Sequence, residues 1–212
     1  MPTHRNSTFL VVCEGSDETH LANKLVALLG QPEVSVDIMN AEGNSGIKSV
    51  VSSGIKIPGP PINKLFLLRD AERSFSKTGT SCENILEHVG FPIPNKSLEI
   101  ASYKSKHACY AILPHDKLNG AIEDTCLSAT KYPEILSCVT QMLDCAKAHY
   151  PAGFASTPTT DRKSLAGAYL AACPTDKFIH RVGLGFSRNL FDLNSVHFEP
   201  ISEALRRMFA IQ

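Results

Sequence analysis

Apolar residues along the first third of the chain cluster into three short runs, each ending abruptly in polar residues. Residues 8–13 (TFLVVC) and 64–68 (KLFLL) are almost uninterrupted, and a looser run spans 34–39. An apolar, β-branched run of this length is the pattern of a strand buried on both faces of a parallel sheet. After the first run Ser16 or Asp17 can cap a helix, whose stripe is Leu21, Leu25, Ala27 and Leu28 and whose stop is Gly30 with Pro32. After the second come the turn residues Asn40, Gly43, Asn44 and Gly46, then a helix through Ile47, Val50 and Val51. The Pro-Gly-Pro-Pro stretch at 58–61 forces a loop. The third run leads into Arg69-Asp70-Ala71-Glu72-Arg73, with a helix expected at 82–89. Three strand–helix alternations predict an α/β fold of doubly wound type, a mostly parallel central sheet flanked by helices.

Beyond Gly90 the pattern predicts strands at 98–102 and 108–113, the second stopped by Pro114. Residues 120–125 (GAIEDT) open a helical stretch, and 133–149 carries Ile135, Leu136, Val139, Met142, Leu143 and Ala146 at helical spacing. A polar loop at 156–161 precedes a helix at 163–172, and the end, 195–209, reads as a helix with Pro200 near its start. No repeat or domain boundary is visible. Residues 1–212 read as one domain, with a core over about 6–128 and a helical C-terminal elaboration over about 129–212.

Composition adds little until it is localised. Lys plus Arg and Asp plus Glu are each 21, so the formal net charge is zero. A protein that gripped nucleic acid with its whole surface would carry a basic excess. No run approaches the ~18 apolar residues of a membrane span, and the first residues lack an export-signal layout. Seven scattered cysteines without a C-x-x-C pair suggest neither a disulfide framework nor a zinc site. A cytoplasmic protein without a membrane partner is expected.

In an open parallel sheet, ligands bind at the carboxyl ends of the strands, where turns converge and helix N-termini point inward. The first strand end offers Glu14 and Asp17, the third Asp70 and Glu72, and the region after Leu113 leads to Glu123 and Asp124. Carboxylates brought together repel unless a cation neutralises them. An all-oxygen set suits Mg²⁺ or Mn²⁺, as one or two ions, better than zinc. Acids in turns and first helical turns also serve as caps, and for Asp17 alone that reading stands equally. Arg69 and Arg73 flank the third-strand acids, either to contact a nucleic-acid backbone or to neutralise those acids.

The opening strand followed by Glu14-Gly15-Ser16-Asp17 and a helix resembles the E-G-x-x-D start of a TOPRIM domain, the module of topoisomerases, primases and OLD-family nucleases. Asp70-Ala71-Glu72 stands where that family carries D-x-D, with a longer arm at the second acid. The remainder is similar to small stand-alone OLD-type TOPRIM proteins of bacteria and archaea. The resemblance implies that Glu14 acts in acid/base chemistry or metal binding, that Asp70 and Glu72 hold a divalent ion, and that Glu123 and Asp124 hold a second, with Asp17 joining either. Lys163 corresponds to the family's late basic element, where it would stabilise charge on the transferring phosphate; the alternative is a solvated first-turn lysine.

What this implies is divalent-metal-dependent phosphodiester hydrolysis, a DNA endonuclease or nickase. No G-x-x-x-x-G-K-[ST] occurs, so an ATPase, if needed, would be a separate partner. The rival is a non-catalytic metal- or nucleotide-binding module that assembles with such an ATPase. Charge is segregated in a way that suits the first reading. Residues 12–19 hold three acids and no base, 45–77 six bases against two acids, and 161–188 five against two.

Overall fold

The computed structural model describes residues 4–32, 35–115, 119–150, 157–175 and 178–211. Strands form where the apolar runs lie: β1 (Phe9–Cys13), β2 (Asp37–Asn40), β3 (Lys64–Asp70), β4 (Ala101–Tyr103) and β5 (Lys106–Leu113). They make one sheet in the order β2-β1-β3-β5-β4. The first four strands of that order run parallel and β4 is antiparallel to β5. The expected mostly parallel α/β sheet flanked by helices is therefore what the chain builds.

Two strands differ from expectation at their ends. The second begins at Asp37, and Val34, where the sequence pattern would start it, lies outside the described residues. The fourth is a short edge strand displaced toward Tyr103, because Tyr103 pairs with Lys106 across a two-residue hairpin turn in which Lys104 takes a φ of 53°.

The helices are α1 (Ser16–Leu28), α2 (Ile47–Lys56), α3 (Phe75–His88), α4 (Ile122–Ser128), α5 (Pro133–Lys147), α6 (Pro158–Ala172), α7 (Val182–Ser187) and α8 (Glu199–Ala210). α3 starts well before residue 82. Ser74 caps it, accepting from the Lys77 amide, and its first turns bury Thr78 and Gly79, so no apolar stripe announces them. α6 likewise starts earlier than residue 163, capped by Thr157. α7 carries no sequence signal at all, since its buried face includes Gly183 and Gly185. A Cβ at Gly183 would sit 2.7 Å from Asp17 Oδ1, and one at Gly185 2.6 Å from the Phe191 ring. These glycines exist for close packing.

Alternation along the strands sorts the core into two layers. Phe9, Val11, Phe66, Leu68 and Ala111 face α1, α4, α6, α7 and α8. Leu10, Val12, Leu65, Leu67 and Ile112 face α2 and α3. After α4, every named element among the described residues is a helix. Among the described residues no helix is long and apolar enough to cross a membrane. The chain leaves β1 toward β2 and returns past it to β3, so the strand order reverses at the β1/β3 boundary. That reversal opens a crevice at the carboxyl ends of the two strands.

A candidate acidic cleft at the carboxyl ends of the strands

A cavity of about 420 Å³ occupies this crevice. Five carboxylates line it: Asp17 and Glu18 from the first turn of α1, Asp70 at the end of β3, Glu72 just after it, and Glu123 in the first turn of α4. Three cations close it, Arg73 after β3 and Arg162 with Lys163 on α6.

Local backbone chemistry aims these groups. Gly15 is the N-cap of α1 without a capping side chain, and a Cβ there would come within 2.9 Å of Glu18 Oε2. Glu18 stands three residues past the cap, where a glutamate folds back over the free amides. The residue is 5 % exposed, and burial, then Glu14 and Asp17, push its pKa up to about 7 against the pull of the Glu18 and Gly15 amides. Asp70 Oδ1 accepts from the Ile122 amide at 2.8 Å, which brings the N-terminus of α4 to the end of β3. Burial, reinforced by Glu18, Glu123 and Glu14, raises the Asp70 carboxyl well above the usual range. Asp17 Oδ1 accepts from the Gly183 amide at 2.9 Å.

Glu72 sits exposed at the rim with a left-handed φ of 49°. Its backbone exchanges two hydrogen bonds with Gly120, which itself has a φ of 139°. This bridge ties the chain leaving β3 to the chain entering α4. A Cβ at Gly120 would stand 2.6 Å from Pro114 Cδ and 2.7 Å from Asp124 Oδ2. Gly120→Ala should therefore destabilise the fold by about 2 kcal/mol, read as a lower urea midpoint at unchanged m-value.

The residues expected from sequence separate into two groups. Asp17, Asp70, Glu72, Glu123, Arg73 and Lys163 share the cleft. Glu14 does not line it. Glu14, a residue 8 % exposed, pairs through its carboxylate with Arg69 Nε at 3.2 Å, and Arg69 goes on to Ser81 Oγ at 2.9 Å and Asn44 Oδ1 at 2.6 Å. Consecutive strand residues point to opposite faces, so Arg69 lies on the α2/α3 side while Asp70 faces the cleft. With 2 % of its surface exposed, Arg69 neutralises an acid and cannot reach a nucleic-acid backbone. Asp124 is also engaged elsewhere: it accepts from the Ala121 amide at 2.9 Å and pairs with Arg162. It lines a neighbouring cavity of about 270 Å³ between α5 and α6.

Glu18 and Arg162 were not singled out by sequence. The signal for Glu18 was its place three residues past the helix cap in an acid-only segment; Arg162 was masked by its neighbour Lys163. Among the described residues no three His, Cys, Asp or Glu donors already converge on one point as a bound ion would require. The carboxylates share a cleft, and the raised pKa values of Glu18 and Asp70 record a crowding of negative charge that a cation would relieve.

Nothing among curated proteins matches the chain. Among solved structures the C-terminal region of the Xanthomonas campestris pv. campestris OLD protein superposes with a TM-score of 0.47 at 13% identity, covering 96% of this chain and 97% of that one. The model of the family described as "Protein of unknown function (DUF3226)" matches residues 8–210, and the chain belongs to that family.

Proposed function

We propose that the acidic cleft is a divalent-metal-dependent phosphodiesterase site of TOPRIM type and that its substrate is DNA. The observation that carries the reading is the shared lining of one crevice by Asp17, Glu18, Asp70, Glu72 and Glu123, rimmed by Arg73, Arg162 and Lys163. An acid-lined floor attracts a hard cation, and a basic rim attracts the phosphate that such a cation acts on. Of the E-G-x-x-D opening, Asp17 lies in this cleft, whereas Glu14 is turned to Arg69.

Asp70, Glu18 and Glu123 are the oxygen donors that would hold Mg²⁺ or Mn²⁺, with Asp17 and Glu72 beside them. When bound, the ion supplies charge neutralisation at the phosphate and acidifies water. The chain's own residues do the rest. The Ile122 amide fixes Asp70, and the Gly183 amide fixes Asp17. Asp124 holds Arg162, so the guanidinium is oriented before any phosphate arrives. Lys163 and Arg73, both exposed, orient the phosphodiester from the rim. Glu14, outside the cleft and paired with Arg69, still raises the carboxyls of Asp70 and Glu18 through its charge.

The test is cleavage of supercoiled and linear DNA with Mg²⁺ or Mn²⁺. Wild type should nick, and Asp70→Asn should lose about a hundredfold or more in rate without a lower melting temperature in EDTA. Wild type that takes up the ion by calorimetry yet leaves DNA intact would transfer the site to a non-catalytic binding module.

A further inference from the structure

A second groove lies on the α2/α3 side of the same sheet edge, a cavity of about 320 Å³ lined by Asn44, Lys48, Lys77, Thr80, Ser81 and Asn84. Lys48 and Lys77 are exposed. Beneath them the buried Arg69 donates to Asn44 Oδ1 and Ser81 Oγ. A guanidinium only donates, so the side-chain oxygens of Asn44 and Ser81 are engaged from below. What these two residues retain for the groove is the amide NH₂ of Asn44 and the hydroxyl hydrogen of Ser81. Two ammonium groups, which also only donate, join Thr80, Asn84 and Ile85 in the rest of the lining, and no carboxylate belongs to it. The result is a donor-rich surface beside an acid-lined cleft.

We infer that this groove binds the phosphodiester backbone of a nucleic-acid strand whose reacting phosphate lies in the acidic cleft. The inference rests on the proposed function for the nature of the anion and deepens it by giving the substrate strand a second contact surface. The cleft and the groove share no lining residue, and Arg69 ties Asn44 and Ser81 of the groove to Glu14, so a strand bound in the cleft would meet the groove by extending beyond the reacting phosphate. Lysines without an aromatic platform or an arginine fork contact phosphates and do not read bases. Arg69 is a positioning residue here, since it sets which atoms of Asn44 and Ser81 face outward.

The experiment is the salt dependence of affinity for a fluorescein-labelled 20-base-pair DNA duplex, measured by anisotropy in EDTA so that no cleavage occurs. Each backbone phosphate contact contributes about 0.9 to the slope of log K against log salt. Lys48→Gln/Lys77→Gln should weaken binding severalfold and reduce that slope by about 2, whereas Lys48→Arg/Lys77→Arg should keep it. An unchanged slope in the glutamine variant, or a wild type that does not bind the duplex, overturns the inference. Loss of slope together with a wild type that cleaves nothing under Mg²⁺ or Mn²⁺ leaves the groove standing and removes only the phosphodiesterase reading.

Discussion

Metal-free protein carrying Glu18→Gln should be more stable than wild type at pH 8, by about 3 kcal/mol, and no more stable at pH 4. The sign follows from linkage. The Glu18 carboxyl has its pKa pushed up from 4.5 to about 7, chiefly by burial and then by Glu14 and Asp17. A group with a raised acid pKa binds its proton more tightly folded than unfolded, so folding takes up a proton between those two values. Stability from this group therefore falls as pH rises through the window from 4.5 to about 7, and the whole penalty is present above it. A Gln carbonyl accepts from the same Gly15 and Glu18 amides without a charge. Urea unfolding in EDTA at both pH values measures the difference; an equal gain at both would mean that the effect is packing and not charge. Excess Mn²⁺ should remove the advantage of the variant, because an ion bound to the folded protein alone stabilises wild type by mass action.

That carboxylate also shows where reading from sequence stopped. The strands were legible because residues such as Leu10, Val11 and Val12 are buried on both sheet faces and leave no room for polar interruption. Parallel strands put all their carboxyl ends on one edge, so Asp17, Asp70, Glu72 and Glu123 could be grouped from topology alone, and they share one cleft. Which way a side chain turns at that edge is a different matter. Glu14 and Arg69 are 55 residues apart, and their pairing depends on Ser81 and Asn44, which reach Arg69 from α3 and from the turn before α2. Asp124 is taken up by a local cap and by an arginine 38 positions on, neither of which an acid-counting argument weighs. Glu18 looked like one more polar residue on a helix. The glycines of α7 carry no helical stripe, and their reason is close packing against Asp17 and Phe191. The zero net charge concealed the segregation that the fold then sharpens, with an acid-lined cleft sharing no lining residue with a groove that carries two lysines.

Arg69→Met should cost about 3–5 kcal/mol, because removing one partner strands the other charge in the interior. Glu14 would be left buried beside Glu18 and Asp70, whose carboxyls it already pushes upward. Methionine fills similar length without a donor, so Ser81 and Asn44 also lose their partner. The double variant Glu14→Gln/Arg69→Met should recover much of the loss, since a neutral pair avoids the stranded charge. The four proteins form a double-mutant cycle, read by urea denaturation in EDTA, and a coupling well above about 1 kcal/mol is expected for a buried pair in contact. A coupling near zero would mean that Glu14 does not depend on Arg69 in solution, and Glu14 would return to the cleft as a candidate ligand. A strong coupling fixes the opposite assignment: Glu14 is the counter-charge that keeps Arg69 in place, and Arg69 in turn holds Asn44 and Ser81. The two functional surfaces are then linked through one ion pair. Breaking it should weaken duplex binding as well as stability through the loss of the oriented Asn44 and Ser81, while the salt slope, set by Lys48 and Lys77, stays near that of wild type.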